Sequence, residues 1–498
     1  MALSRVFRST CIVTVVVLAA VSRHCTTWAQ SVSGPTPETK QAPAASAGAF
    51  RHLQALQEIA SANGGNRAAG TRGYDRSAEY VAQQLKEAGY TVRFEEFEFP
   101  FFEERTPPVL AISRPDGSHE PASANAIRTL VDSGSGDVTA RLRAVNLQLG
   151  ATPLATSNSG CQTDDFREFE RGAVALVRRG TCQFHIKVEH AVAAGAVGVV
   201  IMNEGTEGRM DAFAGRLSKP ASIPVVGVSY AFGSAIVAQD GVATVHLAIN
   251  AVSGMRPSRN VVAETSSAGD DPWIVVGAHL DSVPEGPGIN DNGSGSAAVL
   301  EAALQLAHEQ RTVRGHMRFA FWGAEERGLI GSRHHVNALS EEERRHIALY
   351  INLDMVGSPN FIRFVQGPAV ADEEPAAVAR REFIAAFRER NLNVEERNGR
   401  RFGSDDSSFS EKNIPTVGLY TGAGGSKSQT QVSLFGGTAG RPFDPCYHQA
   451  CDTIDNIDRY VLEQNTGALV RALNAVAVVT RAPDPPDRKA GDQSQSKR

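Results

Sequence analysis

The sequence predicts an α/β fold: a doubly wound mixed sheet with helices on both faces, interrupted by a smaller, β-rich α/β module. Three observations lead there. From Asn260 onward, short apolar runs alternate with segments of helical spacing, the pattern of strands joined by helices. The run 273–278 is almost continuously apolar, as in a central strand buried on both faces. Residues 125–251 change texture, with frequent Gly and Ala and short Val/Ile runs between turns.

Taken in order, the chain opens on a segment outside the fold. Arg5 and Arg8 precede an apolar run, 11–21, that is too short to span a bilayer, and Thr27-Trp28-Ala29 offers a small-x-small cleavage site. Residues 1–29 therefore read as a secretory signal peptide. Arg23 and His24 end the run too early for an anchor, so no stable membrane anchor is expected, and Cys25 lacks the preceding residues of a lipoprotein box. Residues 30–50, rich in Ser, Pro, Ala and Thr, read as a flexible leader. Helical spacing follows at Leu53, Leu56 and Ile59 and again at Tyr80, Val81 and Leu85. Residues 91–101 alternate Val92, Phe94, Phe97 and Phe99 with charges, a half-buried strand.

Within 125–251, strands are expected at 173–177, 196–202 and 223–228 and a helix at 184–194. No cluster of acids and histidines sits there, so the module reads as non-catalytic, with His185 and His190 as ordinary residues. Beyond it, strands are expected at 316–322, 348–353 and 415–420, and helices at 294–309 and 460–480. His334 and His335 read as an exposed helical pair. The polar residues 482–498 form a disordered tail.

The formal net charge of −5 carries no basic excess, which argues against a nucleic-acid partner. Of six cysteines, Cys11 and Cys25 leave with the signal. The positions of the other four suggest Cys161–Cys182 and Cys446–Cys451, one of three connectivities, in an oxidising compartment such as the periplasm or the extracellular space.

Five segments concentrate acids and histidines: Gly277-Ala-His279-Leu-Asp281, Gly288-Ile-Asn-Asp291-Asn-Gly, Trp322-Gly-Ala-Glu325-Glu326, Asn352-Leu-Asp354 and Cys446-Tyr447-His448-Gln-Ala-Cys451. His279, Glu325, Glu326 and Asp354 each sit just past an apolar strand, and ligands of open α/β sheets bind at the carboxyl ends of strands. Carboxylates and imidazoles gathered there are costly to desolvate unless they hold cations. His with carboxylate oxygens suits zinc, with manganese or cobalt as alternatives. The acids exceed the needs of one zinc, and a two-metal hydrolytic centre requires a bridging carboxylate. Asp291, in a Gly-rich loop that allows close backbone approach, is the candidate bridge. Asp281, two residues after His279, is placed to accept the imidazole's other N–H.

These motifs, in this order, resemble the secreted di-zinc aminopeptidases of the bacterial leucyl-aminopeptidase and aminopeptidase Y type over about residues 51–124 and 252–481. Cys161, Gly180-Thr-Cys182-Gln-Phe and Ala193-Ala-Gly195-Ala make 125–251 similar to the protease-associated (PA) domain often inserted in that family. The resemblance implies the zinc exopeptidase fold and two zinc ions per chain, one held by His279 and Asp354, the other by Glu326 and His448, with Asp291 bridging. It implies Glu325 as the general base acting on a metal-bridging water, Tyr447 as hydrogen-bond donor to the oxyanion, and a cis Asp291–Asn292 peptide. Substrates would be peptides or proteins with a free N-terminus. Where many members have Arg-Ser-Asp-His, this chain has Gly403-Ser404-Asp405-Asp406, which leaves two alternatives for holding the substrate's N-terminus: Arg400 or Arg401 substitutes, or the job is done differently.

The alternatives are a carboxypeptidase or dipeptidase on the same metals, a glutaminyl cyclase, or a non-catalytic receptor-like protein. The complete ligand set speaks against the last two. Composition and motifs are silent on oligomeric state.

Overall fold

The computed structural model describes residues 48–147, 149, 157–265, 272–308, 316–367, 374–399 and 403–479. The signal peptide, most of the leader, Arg400, Arg401 and the tail lie outside the described residues.

Helices Ala49–Ala62 and Arg72–Glu87 come first. Thr71 caps the second by accepting the Tyr74 N–H, and Leu53, Leu56, Val81 and Leu85 turn into the core. The strands follow as β1 (Thr91–Ser113), β2 (His119–Pro121), β3 (Ile127–Thr129), β4 (Gly136–Ala144), β5 (Val174–Arg178), β6 (Gly198–Met202) and β7 (Val225–Val228). They continue as β8 (Thr244–Glu264), β9 (Trp273–His279), β10 (His316–Trp322), β11 (Ile347–Leu353), β12 (Phe364–Gly367), β13 (Glu395–Asn398) and β14 (Thr416–Tyr420). Neighbouring strands pair in the order β13-β12-β14-β11-β9-β10-β8-β4-β5-β6-β7-β3, with β1 alongside β8.

Strands β10, β9, β11 and β14 are mutually parallel, while β8 is antiparallel to β10 and β12 to β14, so the sheet is mixed as expected. Alternate residues of β9 face opposite ways. Ile274, Val276 and Ala278 share one apolar cluster with helices Gly295–His308, Pro375–Arg388 and Arg459–Val479, the first of which lies directly on β9. Val275 packs with Trp322, Val336, Tyr350 and Phe409 on the other face. Helices cover both faces, which is why the central strands read as unbroken apolar runs.

The second unit has parallel β4, β5, β6 and β7, with helices Phe184–Ala193 and Tyr230–Val237 and its own apolar clusters. Two long strands join it to the first. β8 pairs with β4 through Thr244–Ile249 and with β10 through Val261–Glu264, and β1 follows β8 along nearly its whole length. The strand expected at 91–101 thus runs on to Ser113. Its extension escapes sequence reading because 103–108 are polar or Pro, and register shifts between Glu104, Thr106 and Val109 interrupt the alternation.

Both suggested disulfides are formed, Cys161–Cys182 and Cys446–Cys451. One expectation is corrected: His334 is exposed, but His335 is buried, with Nδ1 2.8 Å from Glu95 Oε2 and its ring against Trp322. Among the described residues no helix is long and apolar enough to cross a membrane.

Candidate metal centre

Because β9, β10 and β11 are parallel, their carboxyl ends open on one edge. His279 is the last residue of β9, Glu325 and Glu326 follow the end of β10, and Asp354 follows β11. Asp291 lies on the turn leading into helix Gly295–His308, and its peptide bond to Asn292 is cis. His448 arrives from the loop closed by Cys446–Cys451. Ala324 (φ 56°), Met355 (φ 49°) and His448 (φ 57°) hold left-handed backbone that is unfavourable for side-chain-bearing residues. All three are at the centre or next to one of its carboxylates, where strained backbone tends to gather.

The centre is organised around Asp291. Its Oδ1 lies 3.4 Å from His279 Nε2 and its Oδ2 3.1 Å from His448 Nε2. Asp354 Oδ1 is 3.6 Å from the first imidazole and Glu326 Oε2 3.3 Å from the second. Glu325 Oε2 is 3.8 Å from His279 Nε2. Ligand atoms within 4.8 Å of one another group as His279, Asp291 and Asp354, as His279, Glu325 and Glu326, and as Asp291, Glu326 and His448. His279 and Asp291 are buried, whereas His448 is the exposed member.

Such a cluster demands positive charge. Burial works against protonating His279, but Glu325 and Asp354 beside it prevail and hold its pKa well above the ordinary imidazole range. Burial also works against His448, yet the hydrogen bonds it donates to Asp291 and Glu326 push it up to about 10. Burial raises the Glu325 carboxyl well above the usual range, opposed by His279 and helped by Asp405 and Asp354. Glu326 Oε1 and Asp354 Oδ1 are buried without a hydrogen-bond partner among the described residues. Orphaned carboxylate oxygens beside two imidazoles are the donor set zinc takes, so the residues present fit the metal.

The surroundings differ in part from expectation. His279 Nδ1 bonds the main-chain carbonyl of Asp281 (3.1 Å), while the Asp281 carboxylate stays 3.7 Å away. That carboxylate instead accepts the backbone N–H groups of Glu325 (3.1 Å) and Glu326 (3.3 Å). Tyr447 stacks on His448, ring centroids 3.8 Å apart, and burial keeps its hydroxyl protonated.

Several residues here escaped the sequence reading. Arg67 is fully buried, and its guanidinium donates to the carbonyls of Leu280, Pro287 and Gly288, bracing the loop from His279 to Asp291. Asp444 and Asp452, on either side of the disulfide loop, are buried against Asn290. Burial pushes the Asp452 carboxyl up to about 7 against the N–H groups of Asp291 and Asn290. Asp405 is buried with neither carboxylate oxygen hydrogen-bonded among the described residues, the nearby Ser332 hydroxyl being 2.8 Å from Ser408 Oγ. Its carboxyl is pushed up to about 7, chiefly by burial. The sequence marks Asp405 only through its place in 403–406; the others carry no local signal.

Comparison with known proteins identifies the family and the inserted domain. Residues 260–473 match the model of peptidase family M28, and residues 140–236 match the PA domain. An aminopeptidase of Pseudomonas aeruginosa is 41% identical over 461 residues, covering 90% of this chain and 84% of the relative. A probable lipoprotein aminopeptidase of Mycobacterium tuberculosis is 38% identical, covering 86% and 84%. Among solved structures, an aminopeptidase from Aneurinibacillus sp. strain AM-1 superposes with a TM-score of 0.60 at 26% identity, covering 87% of this chain and 94% of that one. A zinc aminopeptidase from Bacillus subtilis gives 0.57 at 25%, covering 86% and 94%. The chain belongs to peptidase family M28, a family of hydrolases, and carries a PA domain.

Proposed function

We propose that this protein is an exported di-zinc aminopeptidase that removes N-terminal residues from peptides and proteins. The observation that carries the reading is the orientation of Asp291, whose two oxygens face two different imidazoles. Each imidazole has a further carboxylate beside it, Asp354 at His279 and Glu326 at His448. This arrangement suits two ions sharing one carboxylate. The relatives named as aminopeptidases support cleavage at the N-terminus. Residues 51–124 and 252–481 would form the peptidase domain and 125–251 the PA domain.

Bound zinc supplies Lewis acidity and a nucleophilic water at neutral pH. Glu325, whose carboxyl burial raises above the usual range, would take a proton from the attacking water and return it to the leaving amine. Tyr447, protonated, donates to the developing oxyanion. Asp281 fixes the backbone of Glu325 and Glu326 so that the two neighbouring carboxylates keep separate tasks. Two disulfides suit an oxidising compartment, and the amino-terminal pattern suits export.

The test is hydrolysis of one peptide in three forms: free at both ends, N-acetylated, and C-amidated. An aminopeptidase cleaves the first and third and spares the second. Cleavage of the acetylated form with sparing of the amidated form would make it a carboxypeptidase.

A further inference from the structure

Three successive N–H groups leading to the Asp291 side chain end on one residue. Ile289 N–H donates to the Asp452 carbonyl (3.1 Å), Asn290 N–H to Asp452 Oδ1 (2.8 Å) and Asp291 N–H to Asp452 Oδ2 (3.0 Å). Asp452 is 1% exposed and directly follows Cys451, so it is rooted in the loop that carries His448. Asn456 Nδ2 donates to the same Oδ1 (3.2 Å), fixing the plane of the carboxylate. On the other side of the disulfide, Asp444 accepts from Asn290 Nδ2 (2.6 Å) and from the Cys446 N–H (2.8 Å). Segments more than 150 positions apart in the chain are thereby tied together at the point where Asp291 meets His448.

We propose that Asp452 is a positioning residue of the metal centre, holding Asp291 at a set distance from His448 so that the two donors act as one unit. This rests on the metal assignment made above. A carboxylate is required because it offers two acceptor oxygens and no donor. An amide of the same shape turns its NH2 toward one of the two backbone N–H groups. The residue touches no substrate, and its effect passes through Asp291.

The test uses the full chain with Asp452→Asn. Zinc affinity is measured by competition with a chelator, and turnover is followed as zinc is raised. The variant is expected to bind zinc about 10–100-fold more weakly, the loss typical of residues that orient ligands, and to recover turnover at high zinc. A residue that only stabilises the fold would lower the melting temperature and leave zinc affinity unaltered, and that result overturns the proposal. Should the variant not fold, the wild-type chain decides the matter through amide exchange. In the metal-free protein the Asn290 and Asp291 amides exchange slowly, because Asp452 holds them without metal; exchange as fast as in exposed loops overturns the proposal. A wild-type chain that binds no zinc refutes the metal assignment and this proposal with it. A zinc-binding wild type with an unaffected variant refutes the proposal alone.

Discussion

The carboxylate of Asp281 lies beside the ring of His279 without taking its proton. The Nδ1 hydrogen bond goes to the Asp281 carbonyl at 3.1 Å, and the nearest carboxylate oxygen is 3.7 Å away. The side chain accepts from the amides of Glu325 and Glu326 instead. One residue thus orients the imidazole through its main chain and the two glutamates through its side chain.

Asp281→Asn should therefore leave the His279 hydrogen bond intact and disturb the glutamates, because the amide points a donor at one of their N–H groups. A loss of about 10–100-fold in kcat is expected, with smaller changes in KM. Unchanged kcat would show that the clamp on Glu325 and Glu326 is dispensable.

Removing metal with a chelator should abolish turnover, and zinc should restore it. Protons compete for the same donors: His448 is pushed up to about 10 in the metal-free chain, so zinc uptake has to displace a proton below that pH. Zinc affinity should therefore rise with pH between neutrality and about 10. Calorimetry in buffers of different ionisation heat reads the released protons; uptake without release would contradict the ligand role of His448.

The two disulfides should separate activity from stability. Loop-closure entropy assigns about 2 kcal/mol to Cys446–Cys451 and about 3 kcal/mol to Cys161–Cys182. The short loop carries Tyr447 and His448, and a displacement of about 1 Å there costs on the order of 100-fold in rate. Cys446→Ser/Cys451→Ser should lose turnover far more than melting temperature, and Cys161→Ser/Cys182→Ser the reverse. Kinetics and thermal melts of both double variants give the ordering.

The legible part of the molecule was whatever carries a clear hydrophobic pattern, periodic in the helices and continuous in the central strands. Strands β9, β10 and β11 are apolar on both faces, so their ends, and with them His279, Glu325, Glu326 and Asp354, could be placed from the sequence. The outer half of β1 was illegible because its polar residues lie along an exposed ribbon, where no alternation is required. His335 was misread because adjacent helical residues point about 100° apart, so one of a pair is buried while its neighbour is exposed. Arg67 and Asp452 act on backbone groups distant in the chain. A loop Arg or Asp with that task looks the same in sequence as one in solvent.

The most direct measurement is metal content and turnover on the same preparation of Glu325→Gln, beside Glu326→Gln. Glu325 is assigned to proton transfer and Glu326 to coordination. The account predicts that Glu325→Gln keeps two zinc ions per chain while turnover falls on the order of 10²–10⁴-fold. Glu326→Gln should hold one of them weakly, with turnover that responds to added zinc. Loss of metal from Glu325→Gln, or identical behaviour of the two variants, would contradict the division of roles on which the mechanism stands.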